Sequence, residues 1–418
     1  MSHTCAPARE GAACSRQATL RFVNPMPTYL ILAIALLDAI GAGLIEPILP
    51  GLLRSFVGPH DNVGAHFGTL LSLYALAQLL CAPVLGRLSD RYGRRPVLLA
   101  SLFGAVVDYV LMTLAPNLTW LYVGRALAGA TAANMPVLAA YLADTTDDKV
   151  RVTRFGQLGA AISIGMIAGP AIGGVLGGMH LRAPFLAAAV MAAVNLLLTF
   201  FMLPESRVGG ASQKRAARGS VLASIRQLYR SPGFLSLVGL IVAVAVAVQI
   251  PVVLWVIYGQ DRFGWTPVVV GLSVAVFAIC QLIMQTVAVG PVVERLGEPR
   301  ALTTSLATFG AGLLLVGMAS SYWLPFLALP LLAAGAIAGP ILQAMISRLV
   351  KPDRQGELRG VLASLTSLIA VGGPFAVTAI YGATRQTTPG LVWALAAAVM
   401  LVLPALSLAP LRSVPEPA

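Results

Sequence analysis

Apolar stretches of about 20 residues recur along the whole 418-residue chain and constrain its fold more than any other feature. A helix of that length crosses the roughly 30 Å hydrocarbon core of a bilayer, and in lipid only helices and closed barrels satisfy their backbone polar groups. We count twelve such stretches. With 58% hydrophobic and 11% charged residues, the chain has too little polar surface for a soluble protein of this size. The sequence predicts an all-α integral membrane protein with twelve transmembrane helices.

Basic residues lie mainly in every second loop between the predicted spans. The loops between spans 2 and 3, 4 and 5, 6 and 7, 8 and 9, and 10 and 11 are rich in arginine and lysine, whereas the alternate loops hold only Arg54, Arg182, Arg262 and Arg385. Because loops rich in basic residues stay in the cytoplasm, we predict a bacterial-type inner-membrane protein with both termini cytoplasmic. Topology then explains the net charge of +12, and we expect no nucleic-acid partner.

The two halves of the chain repeat one another at a constant offset of 204 residues. The matched positions are Pro47 and Pro251, Gly86 and Gly290, Asp90-Arg91 and Glu294-Arg295, Gly93 and Gly297, Pro136 and Pro340, and Gly169-Pro170 and Gly373-Pro374. Since each half has an even number of spans, both halves insert in the same direction, as parallel repeats.

The repeat and the polar stretches divide the chain into five units. Residues 1–27 form a cytoplasmic leader, whose polar part is either disordered or absent because translation starts at Met26. The others are a six-helix bundle at 28–203, a cytoplasmic linker at 204–232, a second six-helix bundle at 233–411 and a cytoplasmic tail at 412–418.

The stretch between spans 2 and 3 is dense in glycine and charge. We expect Gly86 and Gly93 to let the backbone turn tightly, and a basic cluster here belongs on the cytoplasmic side. Asp90 lies within the cluster beside Arg91 and Arg94, which indicates a latch between helix ends. A degenerate copy of the stretch follows at the repeat offset, at 290–300.

Ionisable residues well inside the predicted spans all lie in the first half: Asp38, Asp108 and Arg125. Such residues cost about 2.5–3.5 kcal/mol on insertion scales, so each needs a reason. Burial favours the neutral carboxyl and a nearby cation favours the charged one, so both acids are candidates for proton binding, with Arg125 biasing them or holding an anionic group. The other interpretation is a static ion pair of Asp108 with Arg125. Glu46, near the outer end of span 1, is expected to face water.

Span 5 contains a cluster of small residues and a proline: Gly165, Gly169, Pro170, Gly173 and Gly174. Small residues on one face let helices approach closely, and Pro170 removes an amide and permits a kink. The pattern predicts a closely packed helix that can bend, and packing alone would also explain it.

Polar and aromatic residues inside spans are candidates for contact with an amphipathic ligand. They are Gln78, Asn134, Gln249, Trp255, Gln281, Gln285 and Gln343. A glutamine in a span also serves simply to join helices. The sequence has no phosphate-binding Walker loop, metal-binding His/Cys cluster or nucleophile elbow. We therefore expect a carrier driven by an ion gradient, with no enzymatic activity, cofactor or protein-bound metal.

These motifs resemble those of the major facilitator superfamily and, more narrowly, of its tetracycline–proton antiporters. The resemblance lies in Leu37 to Gly41, Pro47 to Pro50, Leu73 to Gln78, Ser89 to Leu99, Asp108-Tyr109, Leu121 to Arg125, Ala143 to Thr146, Asp261 to Trp265, Leu342 to Met345 and Ser364 to Ser367. It implies the major facilitator fold and export of tetracycline, as a chelate with a divalent cation, in exchange for protons. We expect a functional monomer.

Carried to individual positions, the resemblance implies a cytoplasmic gate formed by Asp90 and Arg94, with Arg94 paired to Asp144. It also implies that Asp38, Asp108 and Arg125 form the polar centre, and that Gln78 contacts the drug.

Three places depart from the family pattern. Gln281 replaces a histidine in span 8, Phe309 replaces an aspartate in span 9, and span 4 reads Thr131 to Pro136 instead of a glycine-rich run. Gln281 can still form hydrogen bonds, whereas Phe309 can neither coordinate a cation nor carry a proton. The alternative function is export of a different drug, a phenicol or several drugs, or of an endogenous metabolite.

Overall fold

The computed structural model of the protein describes residues 26–57, 62–206, 234–348 and 355–411, which form helices joined by short turns. Within these ranges, eleven helices are long and apolar enough to cross a membrane. The twelfth predicted span corresponds to the helix Leu391–Leu411. The predicted all-α membrane architecture is confirmed. The leader up to residue 25, the linker from residue 207 onward and the tail lie outside the described residues.

The first six spans, α1 to α6, belong to the first half. They are α1 Met26–Ile45, α2 Val63–Tyr92, α3 Arg94–Leu114, α4 in two segments (Leu118–Thr131 and Asn134–Thr145), α5 Asp148–Met179 and α6 Ala183–Met202. A short helix, Leu49–Arg54, follows α1 after a turn at 46–48. Span 1 was predicted to continue to Leu49, but the helix ends at Ile45, two residues before Pro47.

The second half contributes α7 to α12. They are α7 Phe234–Phe263, α8 Pro267–Leu296, α9 Glu298–Gly317, α10 Leu324–Arg348, α11 Gln355–Thr384 and α12 Leu391–Leu411. Helix α8 contains a π-helical turn at Met284–Ala288, and α10 contains a 3₁₀ turn at Gly335–Ile337.

Only one residue, Gly93, separates α2 from α3 where the sequence predicts a loop. Its φ of 105° lies in a region that favours glycine, and the repeat-related Gly297 has φ 74° between α8 and α9. The prediction of a tight turn at Gly86 is wrong, because Gly86 lies within the continuous helix α2. The sharp change of direction therefore depends on Gly93 alone.

The interruptions of α4 and α10 occupy equivalent positions in the two repeats. Helix α4 breaks at Ala132 and Ala133, and Ala132 lies four residues before Pro136. The equivalent residues of α10 fall in its 3₁₀ turn, before Pro340. A proline has no amide to donate to the carbonyl four residues earlier, which gives both breaks the same physical cause.

The two halves meet at one end of the bundle, which we call the Arg54 end. There α2 packs against α11 and α5 against α8. A Cβ atom added to Gly174 of α5 would lie 2.6 Å from the Pro267 carbonyl oxygen and 3.0 Å from the Gly271 Cα. Arg54 of the first half also forms an ion pair with Asp261 of the second, Nη2 to Oδ1 2.5 Å.

The halves are apart at the opposite end, the basic end, which carries the arginines at 87–95. Most of α2 from Leu80 to Tyr92 is exposed. Open space surrounds Gly86 of α2, Gly159 of α5 and Gly360 of α11. The space between the halves is thus closed at the Arg54 end and open at the basic end.

Candidate functional site

A cavity of about 760 Å³ lies between the two halves. Helices α1 to α5 line it on one side and α7 to α10 on the other. All of the ionisable aspartate, glutamate and arginine side chains among its described lining residues come from the first half: Asp38, Glu46, Asp108 and Arg125. The cavity therefore has one charged wall and one wall of apolar, aromatic and amide side chains, as an amphipathic ligand requires.

Asp38 is joined to the broken helix α4 by a hydrogen bond. The side-chain amide nitrogen of Asn134 donates to Asp38 Oδ1 at 2.6 Å. Because α4 restarts at Asn134, the break places this amide at the start of a helical segment, facing α1. Asn134 Oδ1 is buried and has no hydrogen-bond partner among the residues that the structure describes. The two candidate residues, one for protons and one for ligand, thus form a single polar unit.

Asp108 and Arg125 form a two-point ion pair between α3 and α4. Arg125 Nε lies 3.3 Å from Asp108 Oδ1, and Nη2 of the same guanidinium contacts Oδ2. The side chain of Asp108 is only 1% exposed and that of Arg125 13%. The Arg125 guanidinium also lies 5.5 Å from the centre of the Tyr74 ring. This geometry is that of a buried ion pair, which agrees with the second interpretation given for these two residues.

Glu46 lines the cavity, whereas the sequence predicts that it faces water at the outer end of span 1. Helix α1 ends at Ile45, and the following turn keeps Glu46 on the same side of the chain as Asp38 and Ala42, which also line the cavity. The spacing of four and eight residues is the signal that could have revealed this, since residues so spaced share a helix face.

The wall from the second half includes Trp255, Gln281, Gln285 and Phe309. Trp255 is largely buried, and its Nε1 donates to Ser273 Oγ at 2.8 Å, so it presents an aromatic surface with its polar atom satisfied. Gln285 lies within the π-helical turn of α8, a feature often found at functional sites. Phe309 packs against the backbone of Gly335, so the wall is apolar at this position.

Three of the predicted ligand contacts do not line this cavity in the described part of the chain: Gln78, Gln249 and Gln343. Gln249 of α7 donates to the Ile369 carbonyl of α11 at 3.4 Å, which is the helix-joining role given as its alternative. Gln343 is exposed on α10, and Gln78 lies one turn from Tyr74 on α2. Hydropathy does not distinguish amides that face a cavity from those that face other helices.

The predicted gate residues form a network at the basic end. Arg94 donates to Asp144 Oδ2 (2.9 Å), to Asp90 Oδ1 (2.9 Å) and to Ser89 Oγ (3.1 Å). The pairing of Arg94 with Asp144 that the resemblance implies is thus present. The carboxylate of Glu205 accepts from the backbone amide of Arg94 at 2.8 Å, at the first turn of α3. Glu205 lies three residues after the end of α6 and belongs to no motif, so the sequence did not predict its role.

Two other gate candidates lie outside this network. Arg91 is exposed, with its guanidinium 5.3 Å from the ring of Tyr92. Gly93 supplies the turn that brings the start of α3 beside the end of α2.

The small residues of α5 lie against two different helices. Gly165, Gly169 and Gly173 face the backbone of α1, and Gly174 faces α8 in the other half. A Cβ atom at Gly169 would lie 2.7 Å from the Ile40 carbonyl oxygen. Pro170 approaches Gly43 of α1 and, through its carbonyl, Gly271 of α8. Helix α5 therefore packs closely against both halves at the closed end of the cavity.

Comparison with known proteins agrees with this architecture. The family described as Major Facilitator Superfamily matches residues 31–266 and 235–418. The class C tetracycline resistance protein of Escherichia coli is 47% identical over 378 residues, which cover 90% of this chain and 95% of that protein. The class G tetracycline resistance protein of Vibrio anguillarum is 46% identical, with coverage of 89% and 95%. In structure, the nucleoside transporter NupG superposes with a TM-score of 0.73 at 14% identity, over 92% of this chain and 98% of that one.

Proposed function

The chain belongs to the major facilitator superfamily and, within it, to the family of the tetracycline resistance proteins, and we propose that it exports a tetracycline or a related amphipathic antibiotic in exchange for protons. Membership makes it a multi-pass membrane transporter and not an enzyme. The observation that carries the proposal is the cavity between the halves, with its charged wall and its apolar wall.

Asp38 is the group best suited to carry the proton. Its partner Asn134 is an amide, which can donate to a carboxylate and, through its unpartnered oxygen, accept from a protonated carboxyl. Asp108 is bound instead to the guanidinium of Arg125, which does not release its proton. Protonation at Asp38 therefore requires little rearrangement, whereas protonation at Asp108 would break a buried ion pair.

The transport cycle follows from the two ends of the bundle. In the proposed orientation the basic end is cytoplasmic, so a drug from the cytoplasm enters the cavity and occupies the space between the two walls. The halves then rock so that the Arg54 end opens. The drug leaves to the outside, and a proton from the outside then neutralises Asp38. After the halves rock back, Asp38 releases this proton to the cytoplasm.

We assign the protein to the bacterial inner membrane as a functional monomer, since the cavity and its charged residues lie within one chain. The proton gradient supplies the energy and no cofactor takes part. The drug is proposed to travel as a divalent-metal chelate, with the metal ion as part of the cargo, because the cavity wall carries more acidic than basic groups.

The test is transport in a bacterial host that lacks its own drug pumps. Cells that express the chain should accumulate less tetracycline than cells with an empty vector, and a protonophore should abolish the difference. Parallel measurements with a phenicol and a cationic dye examine the alternative cargoes. Equal accumulation of tetracycline in both strains would contradict the proposed drug.

A further inference from the structure

We propose that Glu46 binds a positively charged group of the cargo at the closed end of the cavity, a role that rests on the transport function proposed above. The site would take an organic ammonium or phosphonium group or a metal chelate with net positive charge.

The position of Glu46 is the first argument. It follows α1 directly, lines the cavity, and lies eight residues beyond Asp38, which corresponds to about 12 Å along a helix. The nearby Gly43, Gly173 and Gly174 belong to the close contacts between α1, α5 and α8. Glu46 therefore lies toward the Arg54 end, where a cargo that enters from the basic end arrives last.

The electrostatics of the helix end is the second argument. The carboxyl end of a helix carries a partial negative charge from its unpaired carbonyl groups. Pro47 cannot donate to the carbonyl oxygen of Gly43, which removes one of the bonds that would compensate this charge. The carboxylate of Glu46 and the end of α1 thus favour a cation at the same place.

The pairing of the cavity charges is the third argument. Arg125 is the one lysine or arginine among the described lining residues, and Asp108 occupies it. Asp38 has the amide of Asn134. Glu46 has no hydrogen-bond or ion-pair partner among the residues that the structure describes. A carboxyl group in so apolar a place is stable as a carboxylate only beside a cation, and a positively charged cargo can supply that cation.

The two acids would then have separate tasks. Asp38 exchanges a proton with its amide partner, and Glu46 contacts the charged part of the cargo. The aromatic and apolar residues of the second half, among them Trp255 and Phe309, cover the rest of the molecule. A cation site in the first half also fits a second-half wall whose described lining residues include no aspartate or glutamate.

The experiment measures equilibrium binding to the purified full-length protein by dialysis against radiolabelled probes. The probes are tetraphenylphosphonium, tetracycline with magnesium ions, and tetracycline with a chelator in place of magnesium. The variant is Glu46→Gln, which keeps the size of the side chain. We expect it to weaken binding of at least one cationic probe by about tenfold or more, and binding of metal-free tetracycline by less than about twofold.

Two further variants control the result. Glu46→Asp retains the charge and should retain cation binding better than Glu46→Gln. Glu294→Gln makes the same chemical change at an exposed acid outside the cavity and should leave the binding of every probe unchanged. Size-exclusion profiles and unfolding temperatures verify that each variant is folded.

The outcomes separate the site from the drug. A loss restricted to tetraphenylphosphonium indicates an organic cation as cargo, and a loss restricted to the magnesium form indicates a chelate. Equal weakening of all three probes, unchanged binding, or no binding of either cation by the wild type would overturn the proposal. If the wild type binds tetraphenylphosphonium through Glu46 but binds no form of tetracycline, the cation site stands and the proposed drug does not.

Discussion

Arg94 and Asp144 form an ion pair between the first residue of α3 and the end of α4, and the positions 204 residues further on form the same pair with exchanged charges. Glu298 begins α9 and Arg348 ends α10. Arg348 Nη1 donates to Glu298 Oε2 at 2.9 Å. The repeat thus preserves the pair while it reverses its polarity.

The reversal changes how each pair interacts with its helices. Negative charge is stabilised at a helix N-terminus and positive charge at a C-terminus. Glu298 and Arg348 obey this rule, whereas Arg94 and Asp144 are both placed against it. The first-half pair therefore depends more on its partners, including Asp90, and is the one suited to break and re-form.

The first prediction compares these two pairs. Asp144→Asn should reduce transport more than abundance, because Arg94 then loses its ion pair with Asp144 and keeps the one with Asp90. Arg348→Gln removes a pair whose arginine is more exposed than Arg94, 37% against 12%. It should reduce transport less and change stability by no more than about 1 kcal/mol. Drug uptake by inverted vesicles, normalised to the amount of protein, measures transport, and unfolding temperatures in detergent measure stability. Equal losses of transport in the two variants would refute the asymmetry.

The second prediction concerns Asp38. Asp38→Asn should abolish drug-dependent proton movement while the protein still inserts, because the new amide can accept from Asn134 but cannot titrate. A pH-sensitive dye in vesicles reports the proton movement. Full activity of this variant would show that another group carries the proton.

The third prediction tests the buried ion pair. Asp108→Asn leaves the Arg125 guanidinium without its counter-charge and should cost about 3–5 kcal/mol of stability. Replacing both residues, as Asp108→Asn with Arg125→Gln, should recover much of that loss. Unfolding temperatures in detergent measure the stability, and transport by the double variant separates the two interpretations: full transport would mean that the pair is purely structural.

The fourth prediction uses two glycines of α5. Gly169→Ala places a methyl group 2.7 Å from the Ile40 carbonyl oxygen, where only backbone can yield, and should destabilise the protein by about 1–3 kcal/mol. Gly159→Ala, on the same helix, is the matched control, because no described atom beyond the helix's own nearby backbone lies within 4 Å of the added carbon. Because alanine favours a helix more than glycine does, the control should keep or slightly gain thermal stability. An equal loss of stability in both variants would show that the close packing of Gly169 is not responsible.

The sequence by itself determined the membrane class, the spans and the repeat. These follow from hydropathy, which depends on local composition, and from spacing, which needs no knowledge of contacts. The turn at Gly93 was also predicted, from the backbone chemistry of glycine. The pairing of Arg94 with Asp144 was predicted from the family resemblance. The exchanged pair of Glu298 and Arg348 could have been found by applying the same offset.

Only the tertiary structure decided which polar groups face the cavity. Gln249 and Gln281 have the same hydropathy, but one joins two helices and the other lines the cavity. Glu46 faces the cavity because α1 ends just before it and packs against α5. Which side chains face the cavity depends on how helices from distant parts of the chain are rotated relative to one another. That rotation is set by close contacts such as those of Gly169 and Gly174, which no local pattern specifies.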